Sequence, residues 1–255
     1  MTSLRRWASR VQAAALDLAL PRRCRSCEVD LHDERDATLL CGDCRRELRL
    51  VDWAVCRRCA AAIPIGESSE DCGYCRSLRL RFDRAIALGS HDGLLRNLII
   101  RMKVDRGNVT GQLFAELVWE RLQGELSALH VDAATAIPSR PNWWGRRGEN
   151  GPQRFGEALA RRLAVPWAPR MLAMKYGTLP QVGLTRPGRF RNIAGRMTVR
   201  RGRLKGAHVL LIDDTLTTGA TCSEAARALK HAGTEQVTVL VVGRTPLDLA
   251  PAATF

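Results

Sequence analysis

The spacing of apolar residues differs between the beginning of the chain and the rest of it. From residue 81 onward, short apolar and β-branched runs alternate with stretches in which apolar positions recur every three or four residues. The short runs predict strands at 84–90, 131–137, around 199, 209–212 and 237–242. The longer spacing predicts helices at 94–103, 113–122, 156–163 and 220–230. This alternation predicts an α/β fold, a parallel sheet flanked by helices on both faces.

The first 80 residues show no such alternation and hold eight of the nine cysteines. These eight form four C-x-x-C pairs separated by 13, 11 and 12 residues, a spacing typical of zinc ribbons. The pairs are Cys24 with Cys27, Cys41 with Cys44, Cys56 with Cys59, and Cys72 with Cys75. A redox motif would account for one pair, and disulfides require an oxidising compartment. We therefore expect two structural zinc sites of four thiolates each.

The spacing leaves two ways of combining the cysteine pairs. Consecutive pairing gives two successive ribbons, whereas interleaved pairing gives a cross-brace. We favour consecutive pairing, because each metal then closes a short local loop at low entropic cost. The segment has few large apolar residues, so metal binding would supply folding free energy that packing cannot. The expected division is a double zinc ribbon over 22–80 and a larger domain over 81–255.

The N-terminal segment has some features of a targeting sequence, since three arginines precede an alanine-rich run. Asp17 interrupts that run, and Pro21-Arg22-Arg23-Cys24 stands where a small-residue cleavage site would be expected. We predict a short amphipathic helix over 1–21 rather than a signal peptide. No run of 18 apolar residues occurs, so no membrane span is expected, and we expect a cytoplasmic protein.

The chain is strongly basic, with a formal net charge of +14 and far more arginine than lysine. Such a charge favours anionic partners, either phosphorylated small molecules or nucleic acid, although a solvated basic surface explains it equally well. Trp143 and Trp144 stand beside Arg146 and Arg147, a combination that suits stacking and charge contacts with single-stranded DNA. The same two tryptophans could instead pack against the ribbon domain.

The residues with the clearest chemistry follow the predicted strand 209–212. Asp213 and Asp214, which we call the acidic pair, come first, and a threonine- and glycine-containing turn then opens the helix predicted at 220–230. The turn, residues 217–221, offers hydroxyls and N–H groups at a helix N-terminus, which favours binding of a phosphate. We call it the phosphate loop. Adjacent carboxylates suit a polyol or a metal ion, while the plain alternative is a strand–turn–helix with exposed acids.

These thirteen residues, 209–221, resemble the phosphoribosyl pyrophosphate (PRPP) signature of type I phosphoribosyltransferases. The resemblance implies that Asp213 and Asp214 bind the ribose 2′- and 3′-hydroxyls. It also implies that the 5′-phosphate is cradled by Thr217, Thr218, Gly219, Ala220 and Thr221. Mg²⁺ would bridge the pyrophosphate and the ribose hydroxyls, because that ion prefers hard oxygen ligands. Cys222, just beyond, is expected to be a core thiol rather than a nucleophile.

Two basic, glycine-rich loops are expected to close over this site, at 138–153 and 175–191. Ser139 follows a predicted strand as Asp213 does, and ligands of parallel sheets bind at the carboxyl ends of strands. Ser139 and Arg140 are therefore candidates for PRPP binding. The residues that would meet the charge of the leaving pyrophosphate are Arg140, Arg147 and Lys175. The candidate catalytic residues are Asp213, Asp214, Arg147 and Lys175.

Over nearly its full length the chain resembles the ComF family, phosphoribosyltransferase-like proteins linked to bacterial competence for DNA uptake. The resemblance rests on the four cysteine pairs, the turn at Lys103, Ile137-Pro138, Arg147-Gly148, and the PRPP signature. The family pattern Arg-Gly-Phe-Asn-Gln is altered here, because Glu149 replaces the aromatic residue and the glutamine is displaced to Gln153. Two functions remain open: transfer of phosphoribosyl to an unknown acceptor, or a non-catalytic role in DNA uptake that binds single-stranded DNA or an uptake protein.

Overall fold

The computed structural model describes residues 22–31, 39–64, 70–78, 80–105, 109–138, 151–175, 183–200 and 204–246. The helix predicted over 1–21 lies outside these ranges. The helices are α1 Gly42–Glu47, α2 Gly73–Arg76, α3 Gly93–Val104, α4 Val109–Ser127, α5 Gly151–Leu163, α6 Arg186–Ile193 and α7 Ala220–His231. The strands are β1 Arg84–Ser90, β2 Ala133–Ala136, β3 Leu172–Met174, β4 Met197–Val199, β5 His208–Leu216 and β6 Gln236–Arg244.

The main sheet has the strand order β1-β6-β5-β2, and all of its neighbouring strands are parallel. Its central strands are apolar on both faces, and residues 209–212 of β5 are completely buried. Val209 and Leu211 pack on the side of α7, whereas Leu210 and Ile212 pack on the side of α3, α4 and α5. The predicted α/β fold with helices on both faces is confirmed.

Strand β5 continues four residues beyond its predicted end, through Leu216. The acidic pair is therefore part of the strand, with Asp213 opposite Val241 of β6, and does not follow it as predicted. The extension has a physical reason: β6 is also longer than predicted and offers backbone partners up to Arg244. Fixing the acids inside a ladder restricts their backbone more than a turn would.

Both loops predicted to be basic lids turn out to be partly helical. Helix α5 begins at Gly151, five residues before its predicted start, and Gly151 and Pro152 are buried. A Cβ on Gly151 would lie 2.5 Å from Met102 Cγ, so the glycine permits close packing of α5 on α3. In the second loop, α6 begins after Thr185, whose side chain accepts a hydrogen bond from the Gly188 N–H, a standard N-cap.

The two cysteine-rich segments pack against opposite sides of the sheet. Cys24, Cys44 and the neighbouring Leu40 belong to the apolar cluster of α3, α4 and α5. Residues 56–61 and 72–75 contribute to the cluster on the α7 side. The division at residue 80 remains a proposal. In the part of the chain that the structure describes, no helix is both long and apolar enough to cross a membrane.

Candidate functional site

The eight paired cysteines form two clusters of four, and the pairing is consecutive. The first four-cysteine centre contains Cys24, Cys27, Cys41 and Cys44, and the second contains Cys56, Cys59, Cys72 and Cys75. Measured sulfur–sulfur distances are 3.6 Å for Cys27 to Cys41, 3.6 Å for Cys59 to Cys72 and 3.7 Å for Cys56 to Cys75. Tetrahedral zinc with bonds of about 2.3 Å separates its sulfurs by about 3.8 Å, whereas a disulfide would need about 2 Å. The clusters fit zinc.

The two centres differ in exposure. All four cysteines of the second four-cysteine centre are buried, whereas Cys27 of the first is exposed and Cys41 is partly exposed. Four thiolates fill the coordination sphere of zinc, so neither centre offers a position to a substrate. Both centres are therefore structural.

We expect two zinc ions per chain, and a single ion in either Cys27→Ser or Cys59→Ser. Cys59 is buried and Cys27 is exposed. Cys59→Ser should therefore lower the free energy of unfolding more than Cys27→Ser does. Zinc content by mass spectrometry and denaturant unfolding measure both effects. Full zinc content in either variant, or disulfides in the purified chain, would contradict the assignment.

The acidic pair lies at the carboxyl end of β5 in an environment that strongly perturbs it. Asp213 Oδ1 accepts a hydrogen bond from the Asp214 N–H at 2.9 Å, and Asp213 Oδ2 lies 3.7 Å from Cys222 Sγ. Burial, and after it the charge of Asp214, raises the pKa of the Asp213 carboxyl to about 8. Cys222 is buried, and burial raises the pKa of its thiol well above the ordinary value, so it is the core thiol that was expected.

A lysine from helix α3 forms an ion pair with one member of the acidic pair. Lys103, near the end of α3, places its Nζ 3.1 Å from Asp214 Oδ2. Lys103 is half-exposed and Asp214 is mostly buried, so the ammonium covers the pair from the solvent side. The turn at Lys103 was part of the family resemblance, but no role could be predicted for the lysine, because nothing in the chain order places α3 beside β5.

The phosphate loop joins β5 to α7 through a left-handed glycine. Gly219 has a φ of +79° and is the N-cap of α7, whose 12 residues begin at Ala220. The Ala220 N–H donates to Thr218 Oγ1 at 3.4 Å, and Thr217 Oγ1 lies 3.2 Å from Thr245 Oγ1. The loop therefore ends at the positive end of a helix dipole, where backbone N–H groups favour an anion.

A layer of side chains that the sequence did not reveal lies beneath the loop. The buried Arg244, at the end of β6, donates to the carbonyls of Leu216 and Thr217, both at 2.7 Å. Tyr74, from within the second four-cysteine centre, places its hydroxyl 3.5 Å from the Thr217 carbonyl. A charged residue at the end of the apolar run 237–242 was the only sequence signal for Arg244.

His91, just after β1, is a further titratable group that the sequence did not single out. Its backbone N–H donates to the Arg244 carbonyl at 2.8 Å. Burial lowers the pKa of the imidazole, and the charges of Lys103 and Arg96 lower it further, while Asp214 acts in the opposite direction. The imidazole is therefore neutral at pH 7, within the field of the acidic pair, and is able to accept a proton.

Of the cationic residues predicted for this site, Lys175 is the one that the structure describes. Ser139, Arg140 and Arg147, and the tryptophans at 143 and 144, lie outside the described residues. Lys175 is exposed just after β3, which belongs to the small antiparallel sheet of β3 and β4. Among the described residues, Lys103 is the cation that forms an ion pair with the acidic pair.

Comparison with known proteins found a match for the cysteine-rich segment and relatives over most of the chain. Residues 15–76 match the model of the double zinc ribbon domain. The DNA utilization protein YhgH of Salmonella typhi is 27% identical over 222 residues, covering 81% of this chain and 97% of that protein. Competence protein F of Haemophilus influenzae is 25% identical over 228 residues, covering 87% and 96%.

Solved structures of phosphoribosyltransferases also match. An adenine phosphoribosyltransferase is 19% identical, with a TM-score of 0.37, and the match covers 58% of this chain and 75% of that one. The purine phosphoribosyltransferase of Pyrococcus horikoshii is 16% identical, with a TM-score of 0.35, and covers 56% and 93%. The parallel sheet flanked by helices, with the acidic pair on β5 and the phosphate loop directly after it, resembles the type I phosphoribosyltransferase fold. The double zinc ribbon at the N-terminus and the similarity to competence protein F and YhgH over nearly their full length support the resemblance of the chain to the ComF family.

Proposed function

We propose that the carboxyl end of β5 binds PRPP together with Mg²⁺, and that the protein transfers the phosphoribosyl group to an acceptor. The observation that supports this is the joining of two binding features within nine residues of one strand–loop–helix unit. The acidic pair suits a diol, and the phosphate loop, at a helix N-terminus, suits a phosphate. PRPP carries both groups, at opposite sides of one ribose ring.

In this proposal each part of the site contacts a different part of the ligand. The carboxylates of Asp213 and Asp214 accept hydrogen bonds from the ribose hydroxyls, and the phosphate loop holds the 5′-phosphate. Lys103, which neutralises Asp214 in the free protein, can turn to the pyrophosphate as the hydroxyls take its place. Mg²⁺ would be held by oxygens of the pyrophosphate and the ribose hydroxyls, and the carboxyl oxygens of the acidic pair are further hard donors of the kind that this ion prefers.

The reaction that we propose is a displacement at ribose C1. The bond from C1 to a pyrophosphate oxygen breaks and its electron pair leaves with pyrophosphate, while a lone pair of the acceptor forms the new bond to C1. Arg140, Arg147 and Lys175 remain the proposed residues that meet the leaving charge. The acceptor must also lose a proton, and the neutral His91 is a candidate to receive it.

The names of the relatives suggest the cellular context. They are called DNA utilization protein and Competence protein F, so we place this chain in the uptake or use of DNA. Its eight ribbon thiols would stay reduced in the cytoplasm, where we propose that it acts. A non-catalytic role is the second candidate, supported by the net charge of +14, which suits nucleic acid.

Calorimetric titration with PRPP and Mg²⁺ tests the proposal. We expect the zinc-loaded wild type to bind, and the double variant Asp213→Asn with Asp214→Asn to lose binding by about 100-fold or more, since charged hydrogen bonds contribute about 1.5–3 kcal/mol each. Glu116→Gln, which removes a surface carboxylate paired with Arg162, is the matched control and should bind normally. A folded wild type that does not bind PRPP would overturn the proposal and favour the nucleic-acid role.

A further inference from the structure

We propose that Arg244 is a positioning residue that fixes the phosphate loop and ties it to the second four-cysteine centre. Loss of zinc from that centre would then weaken binding at the loop. The part that concerns ligand binding rests on the proposed function above, whereas the part that concerns the shape of the loop does not.

Arg244 is a buried cation whose hydrogen bonds are all made to backbone carbonyls. One guanidinium nitrogen donates to the carbonyls of Leu216 and Thr217 at 2.7 Å and to that of Thr245 at 3.1 Å. Its Nε donates to the carbonyl of Cys59 at 2.8 Å. Only 5% of the residue is exposed, so these carbonyls replace the water that the charge has lost.

The orientation of these carbonyls has a direct consequence for the loop. In a trans peptide the C=O and the following N–H point in opposite directions. Because Arg244 draws the Leu216 and Thr217 carbonyls toward itself, the N–H groups of Thr217 and Thr218 must point away from it. A phosphate held by this loop needs those N–H groups on its own side, away from the buried cation. The Leu216 carbonyl also accepts a hydrogen bond from the Thr245 N–H at 3.0 Å, so the sheet ladder helps to hold the first of these two peptides. The Thr217 carbonyl is held by side chains, those of Arg244 and Tyr74. Arg244 thus acts mainly on the direction of the Thr217–Thr218 peptide.

The second four-cysteine centre holds Arg244 from the other side. Cys59, which supplies the carbonyl for Nε, is a ligand of the centre, and Tyr74 lies between the ligands Cys72 and Cys75. The Tyr74 ring lies 5.5 Å from the Arg244 guanidinium carbon, and its hydroxyl approaches the Thr217 carbonyl. Zinc would hold both C-x-x-C turns of this centre in place. It would thereby also hold the Cys59 carbonyl, which contacts Arg244, and the Tyr74 side chain, which contacts Arg244 and the phosphate loop.

The first four-cysteine centre lies against different elements. Arg25, within its first C-x-x-C turn, has an ion pair with Asp105 at 3.2 Å, just after α3. Arg45 forms an ion pair with Glu120 on α4. These contacts give the two centres separable effects, because only the second meets Arg244.

The experiment compares Arg244→Met and Arg244→Lys with Arg58→Met. Arg58, from the second four-cysteine centre, also donates to a backbone carbonyl, that of Leu80, but this hydrogen bond is not made to residues 217–221, which makes Arg58 a matched control. Hydrogen exchange of the backbone amides in peptides covering 217–221, followed by mass spectrometry, measures the loop directly. Calorimetry with PRPP and Mg²⁺ measures binding.

We expect Arg244→Met to exchange these amides at least about 10-fold faster and to bind PRPP at least about 10-fold more weakly, because the Thr218 N–H loses its direction. Arg244→Lys keeps the charge and should recover part of both effects, while Arg58→Met should match the wild type. Tyr74→Phe, which removes only the hydroxyl, should raise exchange by a smaller factor. Zinc-depleting Cys72→Ser should raise exchange at the loop, whereas Cys27→Ser should not.

Two results would overturn the inference, and they do not depend on the proposed function. One is a folded Arg244→Met protein whose loop exchanges as slowly as in the wild type. The other is a loop that loosens equally in Cys27→Ser and Cys72→Ser. Should wild-type protein fail to bind PRPP, the exchange measurements still decide the role of Arg244, so failure of the function and failure of this inference are distinguishable.

Discussion

Replacing Asp213 by asparagine is expected to weaken PRPP binding by at least about 10-fold and, at the same time, to stabilise the unliganded protein increasingly as the pH rises. Burial and the neighbouring Asp214 raise the pKa of Asp213 to about 8 in the folded state, against about 3.9 in an unfolded chain. Between those values the folded state holds a proton that the unfolded state has lost, so the wild type loses stability from pH 5 to pH 8. Asparagine is neutral throughout and removes that loss.

Denaturant unfolding of both proteins at pH 5, 6, 7 and 8 measures this difference. The variant should gain on the wild type by up to about 1.4 kcal/mol per pH unit, and the gain should end above pH 8. Loss of binding alone could reflect misfolding, but loss of binding with a gain in stability could not. If the variant were less stable than the wild type at pH 8, the Asp213 carboxylate would stabilise the fold. It would then not be a group whose burial costs stability in the free protein.

The same raised pKa gives PRPP binding a pH dependence that the sequence could not predict. If a cation or the ribose diol selects the Asp213 carboxylate, binding below pH 8 must release a proton. The motif gave the identity of the acids, but the raised pKa of Asp213 comes first from its burial and only then from the charge of its neighbour Asp214. The burial is a tertiary property, set by packing rather than by neighbours in sequence.

What could be predicted were the features with local causes. The pattern of apolar residues located α7 to within one residue and β1 without error, because α7 has a helical period along its length and β1 is a short continuous apolar run. The zinc centres followed from cysteine spacing, since a C-x-x-C turn and a short loop determine their own geometry. Helix α6 was missed although Thr185 and Pro187 are ordinary start signals, because its charged sequence was interpreted as a lid.

What could not be predicted were contacts between distant parts of the chain. Cys59 and Arg244 are 185 residues apart in sequence, and Tyr74 and Thr217 are 143 apart. No local pattern relates such residues, so the sequence showed a zinc ribbon and a phosphate loop without showing that one supports the other. The fold brings them together by placing the second four-cysteine centre at the carboxyl edge of β6, next to the strand that carries the acidic pair.

Replacing Gly219 by valine should have the largest effect on the phosphate loop. Gly219 has a φ of +79°, which a β-branched residue adopts at a cost of about 1–3 kcal/mol. A Cβ there would also lie 3.1 Å from Leu80 Cδ2 and 3.5 Å from Phe82, both buried. Backbone and side chain would have to shift together, and the N–H groups at the start of α7 would move with them. We expect PRPP affinity to fall by about 100-fold or more, as for two lost charged hydrogen bonds.

Gly195→Val separates backbone strain from the function of the loop. Gly195 has a φ of +68°, but a Cβ there meets no atom within 4 Å, and the residue is exposed in a turn after α6. Both variants should unfold at a lower denaturant concentration than the wild type, because each forces valine into a left-handed backbone conformation at a comparable cost in stability. In calorimetry, only Gly219→Val should lose PRPP binding. Gly219→Asn should recover part of the affinity, since asparagine tolerates this backbone conformation. Equal binding by the two valine variants would show that the left-handed glycine serves the helix start and not the ligand.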